Sequence, residues 1–382
     1  MNGLRLFQIG TGWFPETKGG TENVYYNLAN TLAAGGASVG GIVSGRGRAE
    51  IDTGNRIRSF SIDGQPIHRR ATVIRAVLHD SFASERPQIV ASHFALYALP
   101  VLDRLRRFPL VTHFHGPWAF ESSAEGASRA AVLAKLAIEQ LVYRRSDRII
   151  AMSDAFRDIL IQRYRLPERR IEMVPNGVDT ATFDLALSRD AARQRLGWAP
   201  DRPTVFTVRR LVRRMGLDRL IDAWAEMRSQ GHGLDAMLHI AGKGPERAAL
   251  EQQANERGLA ACIQFDGLIS DEALRLSYRA ADLTVIPTAS LEGFGLIAAE
   301  SLAAGTPVLT TPVGGLPEVV SGLSTAMVLD GTTVRDIAAG LSDTLADPAR
   351  MPSATACRDY AQRTYDWSVI APKVAAVYRS AL

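Results

Sequence analysis

Cysteine is almost missing from this chain of 382 residues: only Cys262 and Cys357 occur, far apart and outside any metal-ligand spacing. A disulfide framework is therefore excluded, and two inert thiols fit a reducing compartment such as the cytoplasm. No apolar run reaches the length that a bilayer span needs, because charged residues interrupt each candidate. A signal-peptide pattern is absent as well: Leu4–Ile9 already reads as a first strand and runs into a Gly-rich loop. There is no Asp-X-Asp and no His/Asp/Glu cluster at ligand spacing, so neither a catalytic divalent metal nor another cofactor is expected. Basic residues are not interleaved with aromatics, which argues against nucleic acid as a partner.

What is present is an ordinary globular composition, 46% hydrophobic and 22% charged, in a chain long enough for two cores. Charge is uneven. Residues 1–184 hold 23 Lys and Arg against 18 Asp and Glu, a net +5, whereas the remainder holds 21 against 22. The excess collects at Arg46, Arg48, Arg56, Arg58, Arg69, Arg70, Arg75, Arg104, Arg106 and Arg107. Such a face suits peripheral contact with anionic lipid or an acidic acceptor; a solvated basic surface is the alternative.

Two successive halves show one rhythm. Apolar runs at Leu4–Ile9, Ser38–Val43, Gln88–Ser92, Leu110–His113, Arg148–Met152 and Ile171–Val174 read as buried strands, with helices at Asn23–Ala34, Ser128–Arg145 and Ala155–Tyr164. The polar stretch Thr180–Asp190 reads as a linker. The pattern restarts with strands at Thr204–Val208, Met237–Ala241, Ile263–Phe265, Leu283–Ile286, Val308–Thr310 and Ala326–Leu329. Helices are expected over Leu217–Arg228, Glu246–Arg257, Asp271–Ala280 and Leu296–Ala304. Continuous apolar strands alternating with helices predict two α/β, doubly wound, parallel-sheet domains of Rossmann type. The expected boundaries are 1–183 and 184–365, with a final amphipathic helix over 366–382. Ligands of such folds bind beyond the carboxyl ends of the strands.

The sharpest chemical signal is Glu292-Gly293-Phe294-Gly295-Leu296-Ile297-Ala298-Ala299-Glu300, placed between a strand and a helix. Free N–H groups where that helix begins form an anion site suited to a diphosphate. Glu300, about one turn in, can accept hydrogen bonds from a ribose diol, and Glu292 lies where sugar hydroxyls would be.

This run resembles the E-x7-E motif of the family 4 retaining glycosyltransferases of the GT-B type. Further similar blocks follow in order: Gly19-Gly20-Thr21-Glu22, Val174-Pro175-Asn176-Gly177-Val178-Asp179, Ala241-Gly242-Lys243-Gly244-Pro245, Tyr278-Arg279-Ala280-Ala281-Asp282, and Ala304-Gly305-Thr306-Pro307-Val308 through Gly314-Gly315-Leu316-Pro317-Glu318. The resemblance covers essentially the whole chain. It implies two Rossmann-like domains facing a central cleft, the first on the acceptor side and the second binding a nucleotide sugar. The last helix then crosses back onto the first domain.

For single residues the resemblance implies that Glu300 holds the ribose and Glu292 the donor sugar. Backbone groups of Gly20, Gly293, Phe294, Gly295 and Leu296 would hold diphosphate and sugar, and His115, in Thr112-His113-Phe114-His115-Gly116, matches an active-site histidine. His93 and His113 read as structural. Arg210 matches a diphosphate-binding arginine. The family's usual lysine is replaced by Met215 and a usual glycine by Arg209, so Arg214 or Arg213 is expected to supply the second charge. Base recognition is expected around Gly242, Lys243, Gly244 and Leu268. Trp118 and Glu121 are acceptor-side candidates; Trp118 stacks on an acceptor ring or anchors a loop.

The implied activity is retaining transfer of a hexose-type sugar from a nucleotide-diphosphate donor to a glycan, lipid-linked or natural-product hydroxyl. A nucleotide-sugar epimerase or phosphorylase of the same architecture is the rival reading, as is a non-catalytic sugar-nucleotide-binding homologue. An NAD-dependent oxidoreductase is disfavoured, because Gly10-Thr11-Gly12-Trp13-Phe14-Pro15 lacks the third glycine of the dinucleotide fingerprint.

Overall fold

The computed structural model describes residues 1–61 and 67–382, which fall into two compact units. The first comprises Met1–Gly177 with Trp367–Leu382, the second Val178–Asp366.

The first unit is built on seven strands: β1 (Arg5–Ile9), β2 (Ser38–Ser44), β3 (Ile57–Phe60), β4 (Ile89–Ser92), β5 (Leu110–Phe114), β6 (Arg148–Ala151) and β7 (Ile171–Met173). Their order is β3-β2-β1-β4-β5-β6-β7 and every pairing is parallel. The order reverses beside β1, so the connections after β1 and β4 leave on opposite faces and open a crevice at the strand ends. Helices Gly20–Ala34, Ile67–Glu85, Arg129–Arg145, Asp154–Gln162 and Trp367–Ser380 belong to this unit. Ser128 and Ser153 cap two of them by accepting from Ala131 and Phe156 N–H. The C-terminal helix is fastened by the buried Tyr378, whose hydroxyl lies 2.7 Å from His113 Nε2. β3 and the helix Ile67–Glu85 were not legible as elements: Ile57–Phe60 is too short to show a period.

The second unit carries β8 (Thr204–Val208), β9 (Met237–Ala241), β10 (Ile263–Gly267), β11 (Leu283–Ile286) and β12 (Val308–Thr310), in the parallel order β10-β9-β8-β11-β12. Reversal falls here between β8 and β11. Trp224, Leu220, Ile221, Met227, Leu238, Val285 and Leu341 are fully buried in its core.

Three expectations meet a different outcome. Ala326–Leu329 is not a strand; a tight 3-10 turn spans Thr325–Met327, capped by Ser324, and only Val328 bridges to Thr310. Thr180–Asp190 is not an open linker, since Asp179 caps a short helix at Thr180–Phe183 and Phe183 is buried edge-on to Tyr278. Thr180 is tied to the end of the second unit, donating to Asp366 at 2.5 Å. The unit boundary accordingly falls at Gly177/Val178, before the expected 183/184.

One buried carboxylate organises the loop after β5. Glu139 accepts from Ala119 N–H (3.2 Å), Tyr164 (2.8 Å) and Tyr143 (3.3 Å), and burial pushes its carboxyl up to about 7 despite these donors. The folded protein thus keeps a proton that the unfolded chain releases near 4.5, and stability contributed here falls as pH rises between those values. Glu139→Gln, whose one oxygen can still accept from Ala119 N–H and Tyr164 while its amide donates to the Tyr143 oxygen, is expected to gain about 2 kcal/mol on the wild type between pH 4.5 and 8. Urea unfolding at the two pH values measures this; a difference independent of pH contradicts it.

Candidate functional site

In the second unit, the strand ends flanking the reversal bring together residues far apart in sequence. Arg209 follows β8, and the loop 287–292 follows β11. The Arg209 guanidinium is buried and forms an ion pair with the Glu292 carboxylate; the same Nη2 lies 2.6 Å from Thr288 Oγ1 and 2.7 Å from Met215 Sδ. Thr288 is held in turn, its carbonyl accepting from the buried Thr311 hydroxyl at 2.7 Å.

Beyond Glu292 the chain turns through Gly293 and Phe294, both buried, and Phe294 packs edge-on against Tyr365. Gly295 adopts φ +85 and ψ 59, a left-handed conformation that lets the chain enter the helix Leu296–Ala303. No side chain caps that helix, so its first N–H groups remain for a ligand. Gly314, at φ +60, lies against the Glu292 backbone, where any Cβ would overlap the Glu292 carbonyl. That carbonyl also accepts from Gly315 N–H at 3.1 Å. The two glycines after β12 thus set the height of Glu292.

Glu300 is buried, and Tyr278 donates to its Oε2 at 2.9 Å. Burial raises its carboxyl to about 7, against the lowering effect of that hydrogen bond. The block Tyr278–Asp282 therefore divides its work. Tyr278 orients Glu300, while Asp282 binds Arg189 (2.8 Å), Arg193 (2.6 Å) and the Thr204 N–H (2.8 Å), closing the unit.

Of the other expected cations, one is buried and two are exposed. Arg210 is exposed. Arg214 is buried, with Nη1 on the Leu291 carbonyl (3.0 Å) and its own carbonyl receiving the Ala289 N–H (2.9 Å), so it clamps the loop that carries Glu292. Arg213 is exposed. Sequence spacing missed Arg209, because only the fold brings the end of β8 against the loop after β11. The loops after β8 and β9 are zipped by Leu211 N–H to Lys243 O (3.0 Å) and Glu246 N–H to Leu211 O (3.1 Å), and Gly242 N–H reaches Gly267 O (2.7 Å). Lys243 and Leu268 stand exposed beside partly buried Gly242 and Gly244.

In the first unit, three imidazoles meet at the ends of β4 and β5. His93 stacks on His113 (centroids 4.1 Å apart, 11° between planes) and lies near His115, with His93 Nδ1 3.0 Å from His115 Nε2. Their nitrogens come within 4.8 Å of one another, a cluster that sequence spacing did not show, but His93 and His113 are stacked rather than convergent. Lone pairs lie in the ring planes, so an ion about 2 Å from one nitrogen in its plane is well out of the plane of the stacked neighbour. Burial holds His93 and His113 well below the ordinary imidazole range and brings His115 down to about 4, so all three are neutral at pH 7. His93 Nε2 is buried without a partner. The tautomer that avoids an orphaned N–H places the proton on Nδ1, donating to His115 Nε2 and leaving His115 protonated at Nδ1. His93 is thus a positioning neighbour of His115.

Gly20 opens the helix Gly20–Ala34 and is exposed. Trp118 opens the helix Trp118–Ala124, with Lys135 Nζ 4.6 Å above its ring and Phe94 edge-on at 5.2 Å. Those contacts favour Trp118 as a loop anchor. Glu121 lies beneath Gly116, its Oε1 3.0 Å from where a Cβ would stand. Gly314→Ala is expected to cost about 1–3 kcal/mol in denaturant unfolding, because both the backbone angle and the overlap with Glu292 oppose it. Gly231→Ala, at φ +83 in open space, should cost less; equal losses would show that Gly314 does not support Glu292.

Comparison with known proteins agrees with this geometry. Residues 18–182 match the model for "Glycosyltransferase Family 4" and residues 188–364 that for "Glycosyl transferases group 1". A D-inositol 3-phosphate glycosyltransferase of Thermobispora bispora is 34% identical over 266 residues, 68% of this chain and 61% of that protein. A glycogen synthase of Mycobacterium tuberculosis is 31% identical over 301 residues, 78% of this chain and 70% of that one. Against the D-inositol 3-phosphate glycosyltransferases the match spans only 55–61% of their length. Among solved structures, Anabaena HepE in complex with UDP and glucose superimposes with a TM-score of 0.81 at 19% identity, covering 99% of this chain and 100% of that one. The chain belongs to the family 4 glycosyltransferases and has the GT-B fold.

Proposed function

We propose that this protein transfers a hexose-type sugar from a nucleotide-diphosphate donor to an acceptor hydroxyl, with retention of configuration and without a resident metal. The observation that carries the reading is the segment Glu292–Glu300: an uncapped helix start between two carboxylates, set at the strand reversal of the second unit. The N–H groups at Leu296 take diphosphate oxygens as negative charge develops on the leaving group. Glu300 accepts from the ribose, Glu292 from hydroxyls of the donor sugar, and the loops at Gly242–Gly244 and Leu268 meet the base. In this reading His115 and Gly20 act on the transferred sugar from the first unit, where Glu121 borders the acceptor. His115, neutral and with Nδ1–H free to donate, hydrogen-bonds a sugar hydroxyl.

Bond making and breaking balance without a metal. The acceptor oxygen joins the anomeric carbon on the face from which the diphosphate departs, and the departing oxygen takes the acceptor proton. The relatives support a nucleotide-bound sugar as substrate, since HepE holds UDP and glucose. Their acceptors range from an inositol phosphate to glycogen, so the acceptor class follows from neither.

A thermal-shift panel of UDP-, GDP-, ADP- and dTDP-sugars tests donor binding. The right donor at about 100 times its Kd should add about 2.7 kcal/mol of stability. Release of nucleoside diphosphate only when acceptor is present separates transfer from epimerase or phosphorylase chemistry, and the anomeric proton coupling of the product reports retention. No shift with any donor ends the proposal.

Protonation of Glu300 leaves one neutral carbonyl oxygen in place of two charged acceptors and so weakens its hold on a ribose diol. Its carboxyl titrates at about 7 in the free protein, and ribose hydrogen bonds favour the ionised form. Donor affinity should therefore rise from pH 6 to pH 8 and be weaker and flatter in Glu300→Gln. Calorimetry at the two pH values checks both; an identical slope in the variant rejects the role of Glu300.

A cytoplasmic protein that touches the membrane peripherally is the further part of this reading. No described helix is long and apolar enough to cross a bilayer. The helix Arg129–Arg145, however, exposes Leu133 (65%) and Leu141 (57%) on the side of Arg129 and Arg144. Apolar side chains flanked by arginines suit the surface of an anionic bilayer. Flotation with anionic vesicles at low salt is expected to carry the protein upward and Leu133→Glu/Leu141→Glu to abolish it; protein remaining at the bottom rules the contact out.

A further inference from the structure

Position 215 is occupied by methionine, where the family resemblance calls for a lysine; of the nearest cations in sequence, Arg214 clamps the Leu291 carbonyl, and Arg210 and Arg213 are exposed. The end of the Met215 side chain is nevertheless not far from a charge. Its Sδ lies 2.7 Å from Nη2 of Arg209, a side chain launched from the end of β8. A lysine extending from position 215 would end at about the point that the Arg209 guanidinium now fills. That side chain is only 6% exposed, and its guanidinium is only partly satisfied. Nη2 is shared among Glu292, Thr288 and Met215, while Nε is buried without a partner. A buried cation with unused donors is costly unless further acceptors arrive.

We propose that Arg209 supplies the donor-facing positive charge that Met215 cannot, and that Glu292 is its counter-ion while the donor is absent. On donor binding the pair exchanges partners: the guanidinium turns to diphosphate oxygens and the carboxylate to sugar hydroxyls. The exchange keeps both charges compensated in the free and the bound protein, which neither residue could achieve alone. This rests on the donor reading proposed above and assigns a new residue within it.

The test uses Arg209→Gln, Arg209→Lys, Met215→Lys and the double variant Arg209→Gln/Met215→Lys. Affinity for UDP, GDP, ADP and dTDP is measured by calorimetry, with the matching nucleoside as control and melting temperature as a check of folding. Losing a charge-assisted contact to the diphosphate should weaken its binding by about 10- to 100-fold in Arg209→Gln and leave nucleoside binding unchanged. Arg209→Lys should retain most of the affinity, and Met215→Lys in the Gln background should recover at least tenfold, since it returns the charge to the same point. A folded double variant that binds diphosphate no better than Arg209→Gln would show that Arg209 is only the counter-ion of Glu292. Unchanged diphosphate affinity in Arg209→Gln overturns the proposal as well. A wild-type protein that binds none of the four diphosphates removes the donor reading itself, an outcome distinct from binding without rescue.

Discussion

In each unit a parallel sheet reverses its strand order beside its first strand, and the rest of the molecule follows from that reversal. Loops leaving the two strands on either side of it run to opposite faces and cannot cover the strand ends between them. In the second unit these ends carry Arg209 and the loop 287–292. In the first they carry the Gly-rich loop after β1 and His93 after β4. Backbone N–H groups and polar side chains, which elsewhere must be buried against partners, can here remain available to a ligand.

That availability has to be supported from behind, and most of the motif blocks serve as supports. Gly314 and Gly315 hold the Glu292 backbone, Tyr278 holds the Glu300 carboxyl, and Arg214 holds the loop between β11 and the helix at Leu296. In the first unit Glu139 holds the start of the helix that begins at Trp118, and His93 fixes His115. Apart from the close approach of Gly314, each contact is a hydrogen bond at a buried or partly buried position, where water competes little for it. A small set of buried polar groups thereby keeps two carboxylates and a histidine oriented in the absence of substrate.

The electrostatic economy of the second unit is less usual. A buried ion pair is weak evidence for stability, because desolvation opposes the attraction. The mutual contact of Arg209 and Glu292 keeps either charge from being buried alone. The stacked histidines work differently: kept neutral by burial, they bring hydrogen-bonding capacity without charge.

Much of this was legible in the sequence. Strands Thr204–Val208, Met237–Ala241, Leu283–Ile286 and Val308–Thr310 have the bounds that their apolar runs suggest, because a strand buried on both faces must be apolar throughout. Ile57–Phe60 was too short to stand out, and Ala326–Leu329 was apolar for reasons of burial rather than pairing. The candidate site after β11 was legible as a pattern because it is local: two glycines, a helix start and a carboxylate on either side lie within nine consecutive residues. The choice among arginines was not. Side-chain direction depends on which strand ends meet, so only the tertiary structure turned Arg214 onto Leu291, brought Arg209 to Glu292 across 83 positions, and stacked His93 on His113. Sequence alone determined the two-sheet architecture and the local backbone of the segment Glu292–Glu300, because both are set by the pattern of neighbouring residues. Folding decided which cation meets Glu292, because the contact joins residues that no local pattern relates.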